Sequence, residues 1–139
     1  MSIVTAPFDW TEAYSVNIVD LDRQHQKLLA ILHDFNGALS TGGGNAVAYG
    51  VLVELADYAR IYFAAEEDLM ARHGFIGLVT HRMEHDDFKE KIAKFKRDFT
   101  NQKSDVPVSL LLFLRSWLKE HVLVADKESS AYLKTRGVT

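Results

Sequence analysis

Two histidines at helical spacing are the residues of this chain best suited to chemistry. His81 and His85 are four residues apart, so in a helix both imidazoles project from one face, one turn apart. That face continues with apolar residues at bundle-like spacing, namely Phe88, Ile92, Phe95 and Phe99. Such a pair can share one metal ion, but an isolated pair is more often two hydrogen-bonded core histidines. Residues elsewhere in the chain must therefore decide between a metal site and a pair of core histidines.

The composition limits the class of protein. The chain has 139 residues, which suits a single domain (residues 1–139), and a formal net charge of -3. The absence of cysteine excludes disulfides, thiolate metal sites and a cysteine nucleophile. No basic block suggests a nucleic-acid partner, and no apolar run suggests a signal peptide or a membrane span. We expect a cytoplasmic protein, and a monomer.

The periodicity predicts an all-α fold with four helices, at about residues 20–39, 46–72, 79–100 and 107–126. Glycine-rich or polar turns separate them, and Asp20 or Asp22 is available to cap the first helix. Short connections predict an up-down-up-down antiparallel four-helix bundle. We predict an extended N-terminal arm over residues 1–17, whose Pro7, Phe8, Trp10 and Tyr14 contribute to packing, and a short C-terminal helical tail over residues 127–133 as a separate turn or two.

The antiparallel topology brings the unusual inward polar residues into one layer. The start of the first helix, the end of the second, the start of the third and the end of the fourth lie at the same end of a bundle. These positions carry His25, Tyr62, Glu66, His81, His85, His121 and Asp126. This donor set is too large for one tetrahedral zinc ion, and it suits two octahedral ions, for which iron is the natural occupant. By contrast, we expect Glu67 and Asp68 to be solvated.

The spacing of two of these donors requires an irregular helix. His121 and Asp126 are five residues apart, which places their side chains about 140° apart on a regular α-helix. Both can face one site only if the helix bulges there, as in a π-type distortion. We predict that irregularity between His121 and Asp126.

The ordered motifs resemble a bacterial hemerythrin over nearly the whole chain. They are Trp10, Tyr14-Ser15-Val16, Asp22-Arg23-Gln24-His25, Phe63 with Glu66-Glu67, His81-x-x-x-His85, Trp117-Leu118 and His121-x-x-x-x-Asp126. The resemblance implies a non-haem di-iron centre (Fe²⁺/Fe³⁺) with a bridging oxo or hydroxo group, which binds dioxygen reversibly and is not an enzyme. It also implies that His81, His85 and His121 hold one iron. His25 would hold the other iron, and Glu66 and Asp126 would bridge the two.

One position departs from the family pattern. Four residues before the bridging glutamate the family has a histidine, where this chain has Tyr62. Tyr62 could bind iron as a phenolate, could stay protonated and point away, or could leave the second iron weakly bound. Two other histidines lie too far along their helices to join this layer. By the helical rise, His33 is about 12 Å beyond His25 and His73 is about 10 Å beyond Glu66. Both are expected to be structural or surface residues.

Apolar residues are expected to line a dry pocket at the open position, namely Leu29, Phe63, Trp117 and Leu118. The leading hypothesis is therefore a dioxygen-binding di-iron protein for storage, delivery or sensing. The alternatives are a di-iron oxidase or peroxidase, an iron-storage module using the same centre, and a helical interaction domain without metal.

Overall fold

The computed structural model describes residues 8–139, which form four long helices and no strand. Helix α1 is Val19–Ser40 and helix α3 is Leu78–Thr100. Helix α2 (residues 44–72) consists of the α-helical segment Gly44–Tyr58, the π-helical segment Ala59–Phe63 and the α-helical segment Ala64–Arg72. Helix α4 (residues 106–135) likewise consists of Val106–Trp117, the π-helical segment Leu118–Ala125 and Asp126–Thr135.

The predicted all-α four-helix fold is confirmed, and each predicted helix is present within about two residues at its start. Two differences concern the ends of the chain. The predicted C-terminal tail is a direct continuation of α4, because Ala125 keeps right-handed helical backbone angles. The predicted arm contains the 3-10 turn Glu12–Tyr14, and its first seven residues, including Pro7, lie outside the described residues.

Two of the three turns between the long helices have glycine at a left-handed position, and the third has Gln102 there, with φ of 62°. Helix α1 ends before Gly42, whose φ is 81°, and the amide of Gly43 donates back to the carbonyl of Ala38 at 2.7 Å. Helix α2 ends in the same way at Gly74, with φ of 68°. Such turns satisfy the last helical carbonyls and favour a residue without a Cβ. They reverse the chain within a few residues, which makes sequential helices antiparallel neighbours.

A continuous apolar core fills the bundle on one side of the polar layer that carries the predicted metal donors. Its fully buried members include Leu32, Phe35, Leu52, Leu55, Phe88, Ile92, Leu110 and Leu114. A smaller apolar cluster closes the opposite side of that layer, and its buried members are Val16, Ile18, Leu21, Met70 and Leu133. The polar layer therefore lies between two apolar regions, which is where buried charges interact most strongly.

The N-terminal arm is attached to the first turn of α1. Asp22 does not cap α1, and instead its carboxylate accepts a hydrogen bond from the Ser15 hydroxyl at 2.7 Å and from the Val16 amide at 2.8 Å. Phe8 is buried in the main core, and Trp10 and Tyr14 pack against it. The described part of the predicted arm thus packs on the bundle. No helix among residues 8–139 combines the length and apolarity needed to cross a bilayer.

Candidate metal centre

Five buried side chains from three helices converge at one end of the bundle. Their potential ligand atoms all lie within 4.8 Å of one another, and each residue is at most 4% exposed. They are Glu66 from α2, His81 and His85 from α3, and His121 and Asp126 from α4. His25 from α1 joins this group through Asp126, since its Nε2 lies 3.0 Å from Asp126 Oδ2.

The π-helical segment of α4 brings His121 and Asp126 to the same face. A π-helix bonds residue i to residue i+5, so five residues make slightly more than one turn. The segment Leu118–Ala125 covers this interval, and both side chains are buried in the site. The predicted irregularity is confirmed. Helix α2 has a second π-helical segment, which ends three residues before Glu66 and was not predicted from the sequence.

The carboxylate of Asp126 has a different set of neighbours at each oxygen. Oδ1 lies 3.1 Å from Nε2 of His81 and 3.1 Å from Nε2 of His121, whereas Oδ2 faces His25. Glu66 lies on the first of these sides, with Oε1 2.6 Å from His81 Nε2 and 3.5 Å from His85 Nε2. One carboxylate thus faces two groups of histidines.

Two further carboxylates orient the imidazoles from outside the cluster. Nδ1 of His85 donates to Glu67 Oε2 at 2.8 Å, and Nδ1 of His121 donates to Glu84 Oε1 at 2.8 Å. A carboxylate only accepts here, so Nδ1 carries a proton, and in the neutral form of each ring the lone pair of Nε2 is directed into the site. The prediction that Glu67 is solvated was wrong, because its side chain is only 15% exposed. Asp68 is exposed, as predicted.

Aromatic rings hold the same two imidazoles on their faces. Phe63 is stacked on His85 with ring centroids 3.9 Å apart, and Trp117 is stacked on His121 at 4.0 Å. Leu29 and Leu118, the other two residues predicted to line a pocket, are also buried in the main core. A hydrogen bond at Nδ1 and a ring on the face together restrict the rotamers of both histidines.

Unpartnered polar atoms in the cluster fit a cation. Nε2 of His85, Nε2 of His121 and Oδ1 of Asp126 are buried without an aligned hydrogen-bond partner, as is Nδ1 of His25. Leaving such atoms unpaired costs about 1–3 kcal/mol each. Two donors about 2.1 Å from one ion and at right angles are about 3.0 Å apart, close to the 3.0–3.1 Å separations around Asp126. The residues present therefore fit a metal.

The electrostatics of the metal-free site favour an ionised Asp126 and a protonated His81. Burial alone would lower the pKa of His81, but the contacts with Asp126 and Glu66 raise it to about 10. Burial alone would raise the pKa of Asp126, but His121, His25 and His81 hold it well below its usual range. A metal ion bound here would displace the protons of these imidazoles, because a ligating imidazole must be neutral, and it would take over their role as counter-charge to Asp126.

A family profile decides the relationship. The profile described as the hemerythrin HHE cation binding domain matches residues 16–131, which is most of the chain. The chain belongs to the hemerythrin family. A bacteriohemerythrin of Clostridium acetobutylicum is 31% identical over 125 residues, or 87% of this chain and 97% of that protein. A hemerythrin-like protein of Naegleria gruberi is 31% identical over 135 residues, or 97% of this chain and 96% of that protein.

The solved structures agree with this relationship. A crystal structure of a hemerythrin mutant is similar to this chain with a TM-score of 0.81 and 25% identity. The similarity covers 93% of this chain and 98% of that one. The resemblance to bacterial hemerythrins is thus confirmed. The buried histidine and carboxylate cluster is the candidate metal centre of this family member.

The ring of Tyr62 packs beside Tyr58 and Lys27. The ring is half-buried, lies edge-on to Tyr58 with centroids 4.9 Å apart, and has Lys27 Nζ 5.5 Å from its centroid. It lines a groove of about 490 Å³ along the seam between α1 and α2. Of the seven predicted ligands, the structure brings six into contact with one another, and a metal-binding role for Tyr62 stays a prediction.

A second tyrosine lies deeper than Tyr62, and the sequence analysis did not single it out as a site residue. Tyr58 is 4% exposed, and its hydroxyl donates to the Gln24 carbonyl at 3.1 Å. Burial raises the pKa of Tyr58 well above its usual value, and the charges of Glu66 and Asp126 raise it further. Tyr58 is therefore a neutral phenol whose hydroxyl is engaged by α1. Its place on the buried face of α2 was the available signal.

The two remaining histidines lie outside the cluster. His33 is about half exposed and pairs with Asp9 at 3.2 Å. His73 is partly buried at the end of α2, and its carbonyl accepts a hydrogen bond from the Tyr132 hydroxyl at 2.6 Å. Both agree with the prediction of surface or structural histidines.

Replacing Glu67 or Glu84 with glutamine is expected to weaken metal binding by about 10- to 100-fold, as for other outer-sphere carboxylates. Each substitution keeps the shape of the side chain but removes the charge that holds the Nδ1 proton. Competition against a chromophoric chelator measures the change. Asp68→Asn, which changes an exposed carboxylate beside Glu67 on α2, is the control. Equal metal affinities in the natural chain and all three variants would contradict the prediction.

The metal-free protein is expected to lose stability between pH 6.5 and about 10. The pKa of His81 is raised on folding, so its stabilising contribution is complete below its unfolded pKa of 6.5 and disappears as the pH rises through about 10. Urea unfolding with chelator present, at both ends of this range, measures the loss. His81→Gln is expected to flatten the profile and His33→Gln to leave it unchanged; parallel profiles in all three proteins would contradict the assignment.

Proposed function

We propose that this hemerythrin-family chain binds two iron ions in the buried cluster, with a bridging oxo or hydroxo group, and binds dioxygen reversibly there. His81, His85 and His121 would hold one iron, His25 the other, and Glu66 and Asp126 would bridge them. The observation that carries the proposal is the division of the Asp126 carboxylate, with one oxygen facing His81 and His121 and the other facing His25.

The chain contributes orientation and exclusion of water. Glu67 and Glu84 keep the Nδ1 protons, so the Nε2 atoms are available as ligands. Phe63 and Trp117 restrict the imidazole rings from the side, and with Leu29 and Leu118 they surround the site with apolar surface. A dry surround disfavours the proton-assisted loss of reduced oxygen species. When bound, the iron pair supplies the electrons that dioxygen binding requires.

We further propose that Tyr62 alters the second iron position by failing to supply a ligand there. Because the Tyr62 ring lines the seam groove and packs on Tyr58, the ferric protein is expected to lack a broad visible phenolate-to-iron band. Tyr62→Phe is therefore expected to leave the ferric absorption spectrum unchanged. A visible band that is present in the natural chain and absent from the variant would contradict this expectation.

Anaerobic loading with iron(II), followed by oxygen titration in a stopped-flow spectrometer, tests the proposed function. A persistent oxygenated spectrum that reverses under argon is expected. Rapid decay with release of hydrogen peroxide, or turnover of a reductant, would instead assign the centre to a di-iron oxidase or peroxidase. Iron uptake without any oxygen-dependent spectrum would favour an iron-storage module.

A further inference from the structure

The two sides of the metal centre have unequal numbers of donors. On one side, three imidazole nitrogens and two carboxylates gather within 4.8 Å. On the other side, His25 is the imidazole present, and its neighbour in the cluster is Oδ2 of Asp126 at 3.0 Å. His25 is 3% exposed, so this side of the centre is buried.

Neither nearby tyrosine compensates for the shortage on the His25 side. Tyr62 comes from the part of α2 that faces α1, but its ring lies in the seam groove beside Lys27. Tyr58 is buried, yet its hydroxyl is bound to the Gln24 carbonyl at 3.1 Å. The observed contact between α2 and the cluster histidines is therefore made by Glu66, whose Oε1 faces His81 and His85 rather than His25.

We propose, on the basis of the function proposed above, that the two metal positions bind with unequal affinity. The position formed by His81, His85 and His121 holds its ion tightly, and the position beside His25 holds an exchangeable divalent first-row cation. The physical reason is that the second position has fewer protein ligands. Where a protein ligand is missing, the ion keeps a water molecule, which gives no gain in binding free energy over the hydrated ion.

The donor types also make the second position less selective. One imidazole with carboxylate and water oxygens is a harder ligand set than three imidazoles with two carboxylates, and oxygen-rich sets accept manganese as well as iron. The tight position is richer in nitrogen and favours later first-row metals. A chain loaded first with one metal is thus expected to accept a different metal beside His25.

Native mass spectrometry during anaerobic titration with cobalt(II), a redox-stable probe, tests the inequality. One ion per chain is expected at stoichiometric metal, and the second only at free metal concentrations at least ~100-fold higher, beyond the usual loss from a single outer-sphere change. His25→Ala is expected to keep the first ion and lose the second. Circular dichroism of each variant verifies folding.

Variants at position 62 identify the cause. Tyr62→His places an imidazole four residues before Glu66, the spacing at which His81 and His85 share one site, so the second affinity is expected to rise by about 100-fold. Tyr62→Phe is the matched control and is expected to bind like the natural chain, because the hydroxyl supplies no ligand.

Several results would overturn the inference. Two ions bound at equal free metal would overturn the inequality while leaving the proposed function intact. Loss of the second ion in Tyr62→Phe would make the phenol a ligand, and an unchanged second affinity in Tyr62→His would remove position 62 as the cause. If no variant binds any ion, the proposed function fails together with the inference.

Discussion

Asp126→Ala is expected to remove the ion beside His25 and to weaken the other by more than ~100-fold, the upper end of outer-sphere losses. Asp126 contacts histidines from three helices, His25, His81 and His121. Removing one partner of a buried ionic cluster also destabilises the metal-free protein by about 3 kcal/mol. For a chain of this size that lowers the melting temperature by about 10 °C. Metal titration and calorimetry with chelator present measure the two effects separately.

Glu128→Ala is the matched control for Asp126→Ala. Glu128 is an exposed carboxylate two residues further along the same helix, and its removal is expected to change stability by no more than about 0.5 kcal/mol. Asp126→Asn keeps the shape and tests the charge alone. If Asp126→Ala retained two ions at wild-type affinity, Asp126 would not be a ligand, and the bridging role would have to be abandoned.

Phe88→Ala is expected to destabilise the protein by about 3–5 kcal/mol, or about 10–20 °C in melting temperature, because it leaves a large cavity in a tightly packed core. Phe88 is fully buried, and its ring lies 5.3 Å from that of Phe63 and 4.8 Å from that of Trp117. These two rings stack on His85 and His121. The cavity is therefore expected to loosen both imidazoles, so metal affinity falls along with stability.

Two variants separate the cavity effect from general loss of apolar surface. Phe88→Leu keeps most of the volume and is expected to cost less than half as much as Phe88→Ala. Phe113→Ala removes a half-buried ring that touches Phe88 and Phe95 rather than the rings stacked on the histidines, and is expected to leave metal affinity unchanged. A Phe88→Ala protein with the metal affinity of the natural chain would show that the stacked rings do not depend on Phe88.

The sequence by itself determined the four helices and the layer to which the metal donors belong. Helical period and glycine turns place His25, Glu66, His81 and His121 at one end of an antiparallel bundle, and that arrangement depends only on chain direction and helical rise. The five-residue interval from His121 to Asp126 also predicted a π-helical segment, because regular helical geometry cannot place both side chains on one face.

The tertiary structure decided which atoms meet. Whether Glu67 is solvated or bound to His85 depends on a contact between two helices that are adjacent only after folding, and the same holds for Glu84 and His121. The direction of the Tyr62 ring depends on Tyr58 and Lys27, which come from two helices. Side-chain rotamers at a helix seam are set by the neighbours across it, and helical periodicity along one chain carries no information about those neighbours.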